Sequence, residues 1–388
     1  MKVHIFNRFA EQPLRAKQRV EQAGVTLVEL LVALVLGLFL IGGVISVYLS
    51  TQQNFKTTEN LSRLQEGARF AFEQMGREIR EAGATPCGVK AVSSIMRTGT
   101  STTPPWWADW DNGTLVGYES QTVSPGATFG TSVNARVSTT DAILIMRLNM
   151  NDASLRTIRA HDTATRTITV DSANNFVSDE VVLACDNTSG VIFELFAATS
   201  TPSTTPQVMN YASSASDGNC TELLGWPQPS DCSYTTATKV LSPGGFVTKY
   251  DPALWYIGLG TNGISRSLYR TALKLQTVSG KKVTLVDSRE MVTDVHDLNV
   301  EYLTRDTSTT PELLATDWVN ADDAKFSVAN NAWRQYSISG PTGVNKNEVV
   351  AVRLTLTFRS PDAVGTDGKP LERKTVAVIG MRNREVKP

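Results

Sequence analysis

The hydrophobic pattern of the chain starts with one long apolar run near its first residues. Positions 30–49 hold no charged residue, and Glu29 is the only charge within 24–49. About 20 helical residues rise roughly 30 Å, which is the thickness of the hydrocarbon layer of a bilayer. The run therefore predicts a transmembrane helix over 25–49.

Beyond this run, apolar residues recur at intervals of three or four positions. They are Leu61, Leu64, Ala68, Phe72, Met75 and Ile79. Such spacing places these side chains on one face of an α-helix. Gly83 and Pro86 are signals for the end of that helix. We expect a single helix over 25–82, with a transmembrane half and an amphipathic half.

From residue 83 onward the chain has short runs of alternating and β-branched residues, separated by Gly, Asn, Asp, Ser and Pro. This pattern is typical of antiparallel sheets. It predicts strands over 142–148, 165–170, 180–184, 191–196, 253–259, 265–275, 298–303, 349–358 and 373–379. The predicted fold class is α+β, with a long N-terminal helix packed on an antiparallel β-rich globular domain over 83–388.

The distribution of charge gives the predicted helix an orientation. Residues 1–24 carry five basic and two acidic side chains, and this net charge of +3 favours the cytoplasmic side of a membrane. The apolar core is longer than that of a cleaved secretory signal, so we expect it to stay in the mature chain. The whole chain has a net charge of −1, so the part after residue 24 is near −4. Without a basic surface, nucleic acid is not an expected partner.

Glu29 is a carboxylate at a position where a plain membrane anchor would keep an apolar residue, because charges in a membrane are costly. If the chain were cut after Gly24, Val25 would carry a free ammonium, and Glu29 would share its helix face. The carboxylate could then pair with that ammonium in its own chain or in a neighbouring one. The alternative is a first-turn glutamate that favours the start of the helix through the helix dipole.

Residues 24–29, GVTLVE, followed by the apolar run, resemble the class III processing signal of type IV prepilins and pseudopilins. The resemblance implies that a prepilin peptidase of the inner membrane cleaves after Gly24 and methylates the new terminus at Val25. It also implies that Glu29 is the assembly glutamate. The family usually has phenylalanine at the position of Val25. Residues 1–24 would then be a basic leader that is removed.

Other segments resemble PilW-type minor pilins: 60–73, 77–83, 291–302, 349–356 and 376–383. The resemblance implies a subunit that primes a type IV pilus and forms its tip with other minor pilins, the major pilin and a tip adhesin, in adhesion and twitching motility. It implies a single-pass inner-membrane protein with a cytoplasmic N-terminus and a periplasmic domain, which reaches the pilus tip at the cell surface after assembly. The alternatives are a minor pseudopilin of type II secretion, to whose J type the closing strands are also similar, and a membrane-anchored periplasmic receptor or enzyme.

Four cysteines lie beyond the predicted membrane span, where an oxidising compartment allows disulfides. They are Cys87, Cys185, Cys220 and Cys232, and three pairings are possible. We favour Cys220 with Cys232, which closes a Gly/Pro-rich loop, and Cys87 with Cys185, which ties the helix end to a core strand. No CxxC spacing or nearby histidine suggests zinc, and no metal or other cofactor is predicted.

Motifs for catalysis are scarce in this chain, and we expect no enzymatic activity. His161 and His296 precede Asp162 and Asp297, but neighbours on a strand point to opposite faces. The third histidine, His4, would leave with the leader.

Two further motifs have plain structural interpretations. Residues 258–263 match GxGxxG, but a strand follows where the dinucleotide fingerprint needs a helix. The pair Asn262-Gly263 within that motif predicts a hairpin turn instead. Trp106, Trp107 and Trp110 either form a partner-binding patch or fold back as a lid on the domain, and the lid is the commoner arrangement.

Overall fold

The structure is a computed structural model that describes residues 24–88, 91–99, 101, 103–150, 154–172, 175–198, 207–214, 217–225, 239–278, 281–327, 332–333, 347–365 and 367–381. One α-helix, α1, spans Leu27–Glu81. The chain divides into a first unit that ends at Lys56 and a second unit that begins at Thr57. The α-helix contributes residues to both units, and all the strands belong to the second.

Strands dominate the second unit, and two 3-10 turns, Trp110–Asn112 and Ala324–Phe326, accompany them. In chain order the strands are β1 (Val92–Ser94), β2 (Met96–Arg97), β3 (Leu115–Tyr118), β4 (Ala142–Ile145), β5 (Leu148–Asn149), β6 (Leu155–Asp162), β7 (Thr167–Val170), β8 (Val181–Cys185), β9 (Gly190–Glu194), β10 (Ala197–Ala198), β11 (Gln207–Asn210), β12 (Gly218–Asn219), β13 (Phe246–Tyr250), β14 (Ala253–Leu259), β15 (Arg266–Val278), β16 (Lys281–Thr293), β17 (Val295–Asp306), β18 (Leu313–Leu314), β19 (Asn347–Arg359) and β20 (Glu372–Gly380). A long helix with a β-rich domain confirms the predicted α+β class.

The strands form three large sheets and one short pair. A nine-stranded sheet has the order β1-β9-β8-β13-β6-β7-β11-β10, with β5 also paired to β13. A five-stranded sheet has the order β16-β15-β14-β4-β3, and a four-stranded sheet has the order β18-β17-β19-β20. The short pair joins β12 to β2. Among the described strands every pairing is antiparallel except that of β1 with β9.

Two hydrophobic cores lie on opposite faces of the nine-stranded sheet. The central strand β8 shows this arrangement, because successive side chains of a strand point to opposite faces. Val181, Leu183 and Cys185 belong to the larger core, which also contains residues of α1. Val182 and Ala184 belong to the smaller core. Since both faces of β8 are buried, its sequence is a continuous apolar run without polar alternation.

The part of α1 in the second unit packs against the sheets along one face. Its buried residues are Asn60, Leu64, Ala68, Ala71, Met75, Gly76, Glu78 and Ile79. Four members of the predicted apolar stripe are among them, whereas Leu61 is 37% exposed and Phe72 is half-buried. The buried face is therefore rotated slightly from the predicted stripe, and it includes a charged residue, Glu78.

Gly67 marks the closest approach between the helix and the sheets. A Cβ atom at this position would lie 3.0 Å from Cγ1 of Val292 on β16 and 3.7 Å from Phe358 on β19. The first distance is shorter than an ordinary carbon–carbon contact. Because Gly67 has no side chain, α1 can pack closely against the junction of the five-stranded and four-stranded sheets.

The end of α1 agrees with the predicted stop signal. Gly83 has φ +70°, a left-handed conformation that glycine adopts without steric cost, and its N–H donates to the Met146 carbonyl at 2.9 Å. The range 142–148, predicted as one strand, is interrupted at Met146 and Arg147. The interruption frees Arg147 to meet the helix end, where its Nη1 lies 2.8 Å from Oε2 of Glu81.

The other eight predicted strands correspond to β7, β8, β9, β14, β15, β17, β19 and β20. The range 253–259 coincides with β14, and the remaining bounds differ by a few residues. The prediction missed three longer strands, β6, β13 and β16, and several short ones. The Asn262-Gly263 turn joins β14 to β15 as an antiparallel hairpin, as predicted, with Gly263 at φ +69°.

Candidate functional site

Thr26 and Glu29 form a reciprocal pair at the start of α1. The backbone N–H and the hydroxyl of Thr26 each donate to Oε2 of Glu29 at 3.1 Å. The N–H of Glu29 donates in return to the Thr26 hydroxyl oxygen at 3.3 Å. This arrangement is a capping box, which satisfies N–H groups that a helix start leaves without partners. It explains why α1 begins at Leu27 rather than at the predicted residue 25.

The capping box gives Glu29 a role in starting the helix, which was one of the two interpretations of this residue. The box uses only part of the carboxylate, however. Hydrogen bonds to Glu29 from the described residues end on Oε2, which leaves Oε1 for a further donor. Both Thr26 and Glu29 are exposed, so a donor from another molecule can reach the site.

The predicted cleavage position directly precedes the capping box. Gly24 and Val25 are exposed, and a Cβ atom at Gly24 would have no atom within 4 Å. Packing in this structure therefore gives no reason for glycine at position 24. The bond between the two residues is accessible to an enzyme, while residues 1–23 of the predicted leader lie outside the described part of the chain.

The first part of α1 carries apolar side chains on all sides. The exposed fraction of its large apolar residues runs from 50% at Val35 to 77% at Phe39. A helix that is apolar all round has no face suited to water. This helix is long and apolar enough to cross a membrane. The first unit of the chain therefore has the character of a membrane anchor.

Residues 19–45 match the family described as Prokaryotic N-terminal methylation motif. The match includes Gly24, the capping box and most of the apolar run. This N-terminus is a prepilin-type signal. It indicates a type IV pilin-like protein or pseudopilin that prepilin peptidase processes, and it fits insertion of the helix in the inner membrane. No match to a curated protein was found.

A disulfide joins Cys87 to Cys185, with their Cα atoms 6.1 Å apart. Cys87 follows the end of α1, and Cys185 is the last residue of β8, so the bond ties the helix end to the nine-stranded sheet. This is the pairing that the sequence analysis favoured. Cys220 is half-buried, and Cys232 lies outside the described residues. The pairing of Cys220 with Cys232 stays a prediction.

A buried ion network, centred on Glu78 of α1, fastens the helix to the sheets. Glu78 is 2% exposed. Its Oε2 accepts a hydrogen bond of 2.6 Å from Nε1 of Trp255 on β14, and its Oε1 accepts one of 2.9 Å from Nε of Arg270 on β15. Arg147 Nη2 lies 3.4 Å from the same Oε1. Both arginines also pair with Asp251, so two carboxylates and two guanidinium groups form one network.

The network balances charges that burial would otherwise disfavour. Burial lowers the pKa of Arg270, but the carboxylates of Asp251 and Glu78 outweigh it, and the net effect raises that pKa. Sequence reasoning missed this site, although one signal was present. Glu78 lies beside Ile79 and three positions after Met75, so a charge occupies the buried face of an amphipathic helix.

The three neighbouring tryptophans pack against the domain; they are Trp106, Trp107 and Trp110. Trp110 is 4% exposed, and its ring centroid lies 6.4 Å from that of Tyr250. Tyr250 also donates from its hydroxyl to the Trp107 carbonyl at 2.6 Å. The indole of Trp106 lies so close to Gly126 that no Cβ atom would fit there. These contacts agree with a lid that covers the larger core.

The side chain of His161 takes part in two hydrogen bonds within the domain. Nδ1 of His161 accepts from the Leu241 N–H at 3.0 Å, so Nε2 carries the proton and donates to the Tyr211 hydroxyl at 2.7 Å. Burial lowers the pKa of His161, in agreement with a neutral ring. Asp162 instead accepts from the N–H groups of its own turn, at Ala164 and Thr165. The two side chains do not form an acid–base pair with each other.

Asp141 is a second buried carboxyl group, 5% exposed. It accepts hydrogen bonds from the N–H of Ser120 at 3.0 Å and from the N–H of Val300 at 2.8 Å, so it links the β3–β4 connection to β17. Burial raises the pKa of Asp141 to about 7, and the neighbouring carboxylates of Glu119 and Asp297 add to the rise. This group therefore changes charge near neutral pH.

Proposed function

We propose that the protein is a minor pilin of the PilW type that prepilin peptidase cleaves between Gly24 and Val25. Residues 1–24 are then a leader, 25–82 form the filament helix, and 83–388 form a domain outside the cytoplasm. The observation that carries this proposal is the capping box. It holds Glu29 in the first turn of an exposed apolar helix, inside the residues that match the methylation motif.

The capping box suits an assembly role because cleavage leaves it whole. Thr26 and Glu29 both lie after the cut, and the new ammonium on Val25 directly precedes Thr26. N-methylation keeps that positive charge. Opposite charges attract strongly where water is scarce. Oε1 of Glu29 therefore accepts the ammonium of a neighbouring subunit, and this contact sets the axial position of the incoming helix.

The size of the domain supports a place at the filament tip. Residues 83–388 contain three large sheets and two cores. A domain of this bulk fits most easily at the end of a filament, where no subunit above confines it. In this proposal the protein primes assembly with other minor pilins, joins the major pilin below and presents a tip adhesin, in support of adhesion and twitching motility.

The deciding experiment is the intact mass and N-terminal sequence of the protein from cells with and without prepilin peptidase. We expect a start at methylated Val25 when the peptidase is present, and an uncut chain when it is absent. A start at Met1 in both strains, or a cut beyond residue 49, would remove the basis of the pilin proposal and favour a membrane-anchored receptor or enzyme.

The methylation motif also fits a minor pseudopilin of type II secretion, so a second measurement separates the two filaments. Pili sheared from the cell surface should contain the processed protein in trace amounts. Deletion of the gene should reduce surface pili and leave secretion through the type II system unchanged. The opposite pair of phenotypes would assign the protein to the secretion system.

A further inference from the structure

A cleft of about 360 Å³ opens in the second unit, where three connections between strands converge. The turn between β14 and β15 contributes Ile264 and Arg266. The junction of β16 and β17 contributes Asp294 and His296, and the end of β19 contributes Arg359. None of these residues belongs to the N-terminal signal or to the Glu78 network.

Hydrogen bonds hold the walls of the cleft in place. Oδ1 of Asn262 accepts from the N–H groups of Ile264 and Ser265, both at 2.9 Å, which fixes the β14–β15 turn. On the opposite side, the hydroxyl of Ser360 accepts from the Leu371 N–H at 2.8 Å. The cleft is therefore formed before any ligand arrives, and this lowers the cost of binding.

Two guanidinium groups line the cleft, and each has N–H groups available for a further hydrogen bond among the described residues. Arg266 uses Nη1 to donate to the His296 carbonyl at 3.0 Å, which leaves its other N–H groups available among the described residues. Arg359 has one loose ion pair, 3.8 Å from Nε to Oε1 of Glu372, with the side chains 43% and 58% exposed. An exposed pair of this kind contributes little and yields readily to a better partner.

The imidazole of His296 lies near enough to both cations to feel their charge. Burial lowers the pKa of His296, and the charges of Arg266 and Arg359 lower it further, so the ring is neutral at pH 7. Among the described residues that line the cleft, Asp294 is the acidic one, and its carboxylate opposes the entry of an anion. The lining thus offers two cations, one neutral imidazole and one carboxylate. Glu372, the partner of Arg359, and Asp297 lie close enough to oppose the lowering of the pKa of His296, so they add negative charge beside the cleft.

We propose that this cleft binds a carboxylate side chain from an acidic segment of a partner protein. Arginine presents a planar fork of donors that matches a carboxylate with two parallel hydrogen bonds. The rim of the cleft favours a peptide as the source of this anion, because Ile264 is 88% exposed beside the cations and Pro361 and Pro370 also line the cleft. A segment with an acidic residue next to an apolar one satisfies both features.

The test uses the full chain in zwitterionic detergent with its histidines isotopically labelled for NMR. The probe is the peptide acetyl-Ile-Glu-Ile-Glu-amide, and its glutamine counterpart is the matched control. We expect a saturable shift of the His296 signal with the first peptide and no shift with the second. The His161 signal should stay unchanged, since that ring is held by Tyr211 and Leu241.

Substitutions at the cleft should change the affinity for the acidic peptide in opposite directions, depending on the charge removed. Arg266→Gln and Arg359→Gln should each weaken binding of the acidic peptide by about tenfold, the loss expected for a charge-assisted hydrogen bond. Asp294→Asn should tighten binding a few fold. Arg289→Gln is the control, because that arginine is 64% exposed and pairs with Asp287 on its own strand.

Three results would overturn the proposal. One is the absence of a His296 shift with the acidic peptide, and another is equal affinity in the two cleft arginine variants and the Arg289→Gln control. The third is tighter binding of inorganic phosphate or phosphatidylglycerol nanodiscs than of the peptide, which would make the cleft a phosphate site. The measurement needs neither processing nor filaments, so its outcome is independent of the proposed pilin role.

Discussion

Glu78 of α1 and Trp255 of β14 are joined by a hydrogen bond of 2.6 Å, from the indole N–H to Oε2 of the carboxylate, and both residues are buried. A buried carboxylate is stable only with charged or hydrogen-bonding partners. Arg147 and Arg270 supply them from the sheet side. Sliding α1 along the sheets would separate these groups, so the network fixes the axial position of the helix on the domain.

Replacing Glu78 by alanine should destabilise the second unit by about 3 kcal/mol, because the change leaves the buried N–H of Trp255 without its acceptor and removes one of the carboxylates that balance Arg147 and Arg270. Thermal or urea unfolding of the full chain in detergent measures this change. The matched control is Glu59→Ala on the same helix, whose partner Arg63 is 64% exposed. That change should alter the free energy of unfolding by less than about 1 kcal/mol. Similar losses in both variants would show that the network does not anchor the helix.

Thr26 and Glu29 offer a pair of substitutions that separates helix capping from charge. Glu29→Gln keeps a capping side chain but loses the charge, so we expect normal membrane insertion and cleavage with at least a tenfold loss of the protein from sheared filaments. Thr26→Ala keeps the charge but loses the cap, which costs the helix start about 1 kcal/mol. Quantitative immunoblots of membrane and filament fractions measure both effects. Normal filament entry of Glu29→Gln would contradict the charge-pairing mechanism.

Loss of the bond between Cys87 and Cys185, which are 98 residues apart, should lower the free energy of unfolding by about 2 to 5 kcal/mol. Thermal unfolding with and without a reductant measures it, and unreduced peptide mapping identifies the linked cysteines. The effect of the reductant should persist in a Cys220→Ala, Cys232→Ala chain. If the reductant acts only when those two cysteines are present, the stabilising bond lies elsewhere.

The titration of Asp141 is expected to contribute a fall in the free energy of unfolding as pH rises from about 4 to 7. The native carboxyl group holds its proton up to pH 7 or so, whereas in the unfolded chain it releases the proton near pH 3.8. Between these values the native state binds more protons, so raising the pH favours unfolding. Glu194, whose pKa burial raises to about 7, acts in the same direction.

The difference in melting temperature between Asp141→Asn and the native chain isolates this effect. We expect the variant to gain stability relative to the native chain as pH increases from 5 to 8, by a few degrees. His161 contributes an opposite slope below pH 6.5, but it is present in both chains and cancels in the difference. A difference that stays constant over this pH range would mean that Asp141 is already ionised in the folded protein.

Local sequence signals were sufficient for the helix and for strands such as β8 and β14, whose residues are almost all apolar. The helix follows from apolar spacing, and its stop follows from Gly83. Strand β14 was predicted at its observed bounds because Ala253–Leu259 is apolar and bordered by turn residues. These features depend on neighbours in the sequence, so they need no knowledge of the tertiary structure.

The strands that were missed carry polar residues that a core pattern does not predict. In β6 only Ile158 is fully buried, and charged residues interrupt the alternation. In β16, Asp287 pairs across the hairpin with Lys274 at 3.4 Å and along its own strand with Arg289 at 3.0 Å. The hydrogen-bonded hairpin with β15 therefore stabilises a strand whose composition resembles a loop.

The N-terminal signal and the Glu78 network also differ in how far the sequence reveals them. Gly24, Val25 and Glu29 belong to one contiguous motif, residues 24–29, so the sequence alone reveals them. The partners of Glu78 come from three separate elements, at Arg147 and at residues of β14 and β15. Only the folded chain brings them together, and a lone glutamate in an amphipathic helix does not reveal them.

The lengthwise packing of residues 57–81 on the sheets also has a mechanical consequence. In the proposed filament, a subunit held by its helix experiences tension along the helix axis. The contacts from Asn60 to Ile79 are then loaded parallel to the interface, so they bear the force together. An attachment at one end of the helix would instead break one contact after another. The Glu78 network and the Cys87–Cys185 bond lie at the C-terminal end of this contact, where they resist slipping of the domain along the helix under such tension.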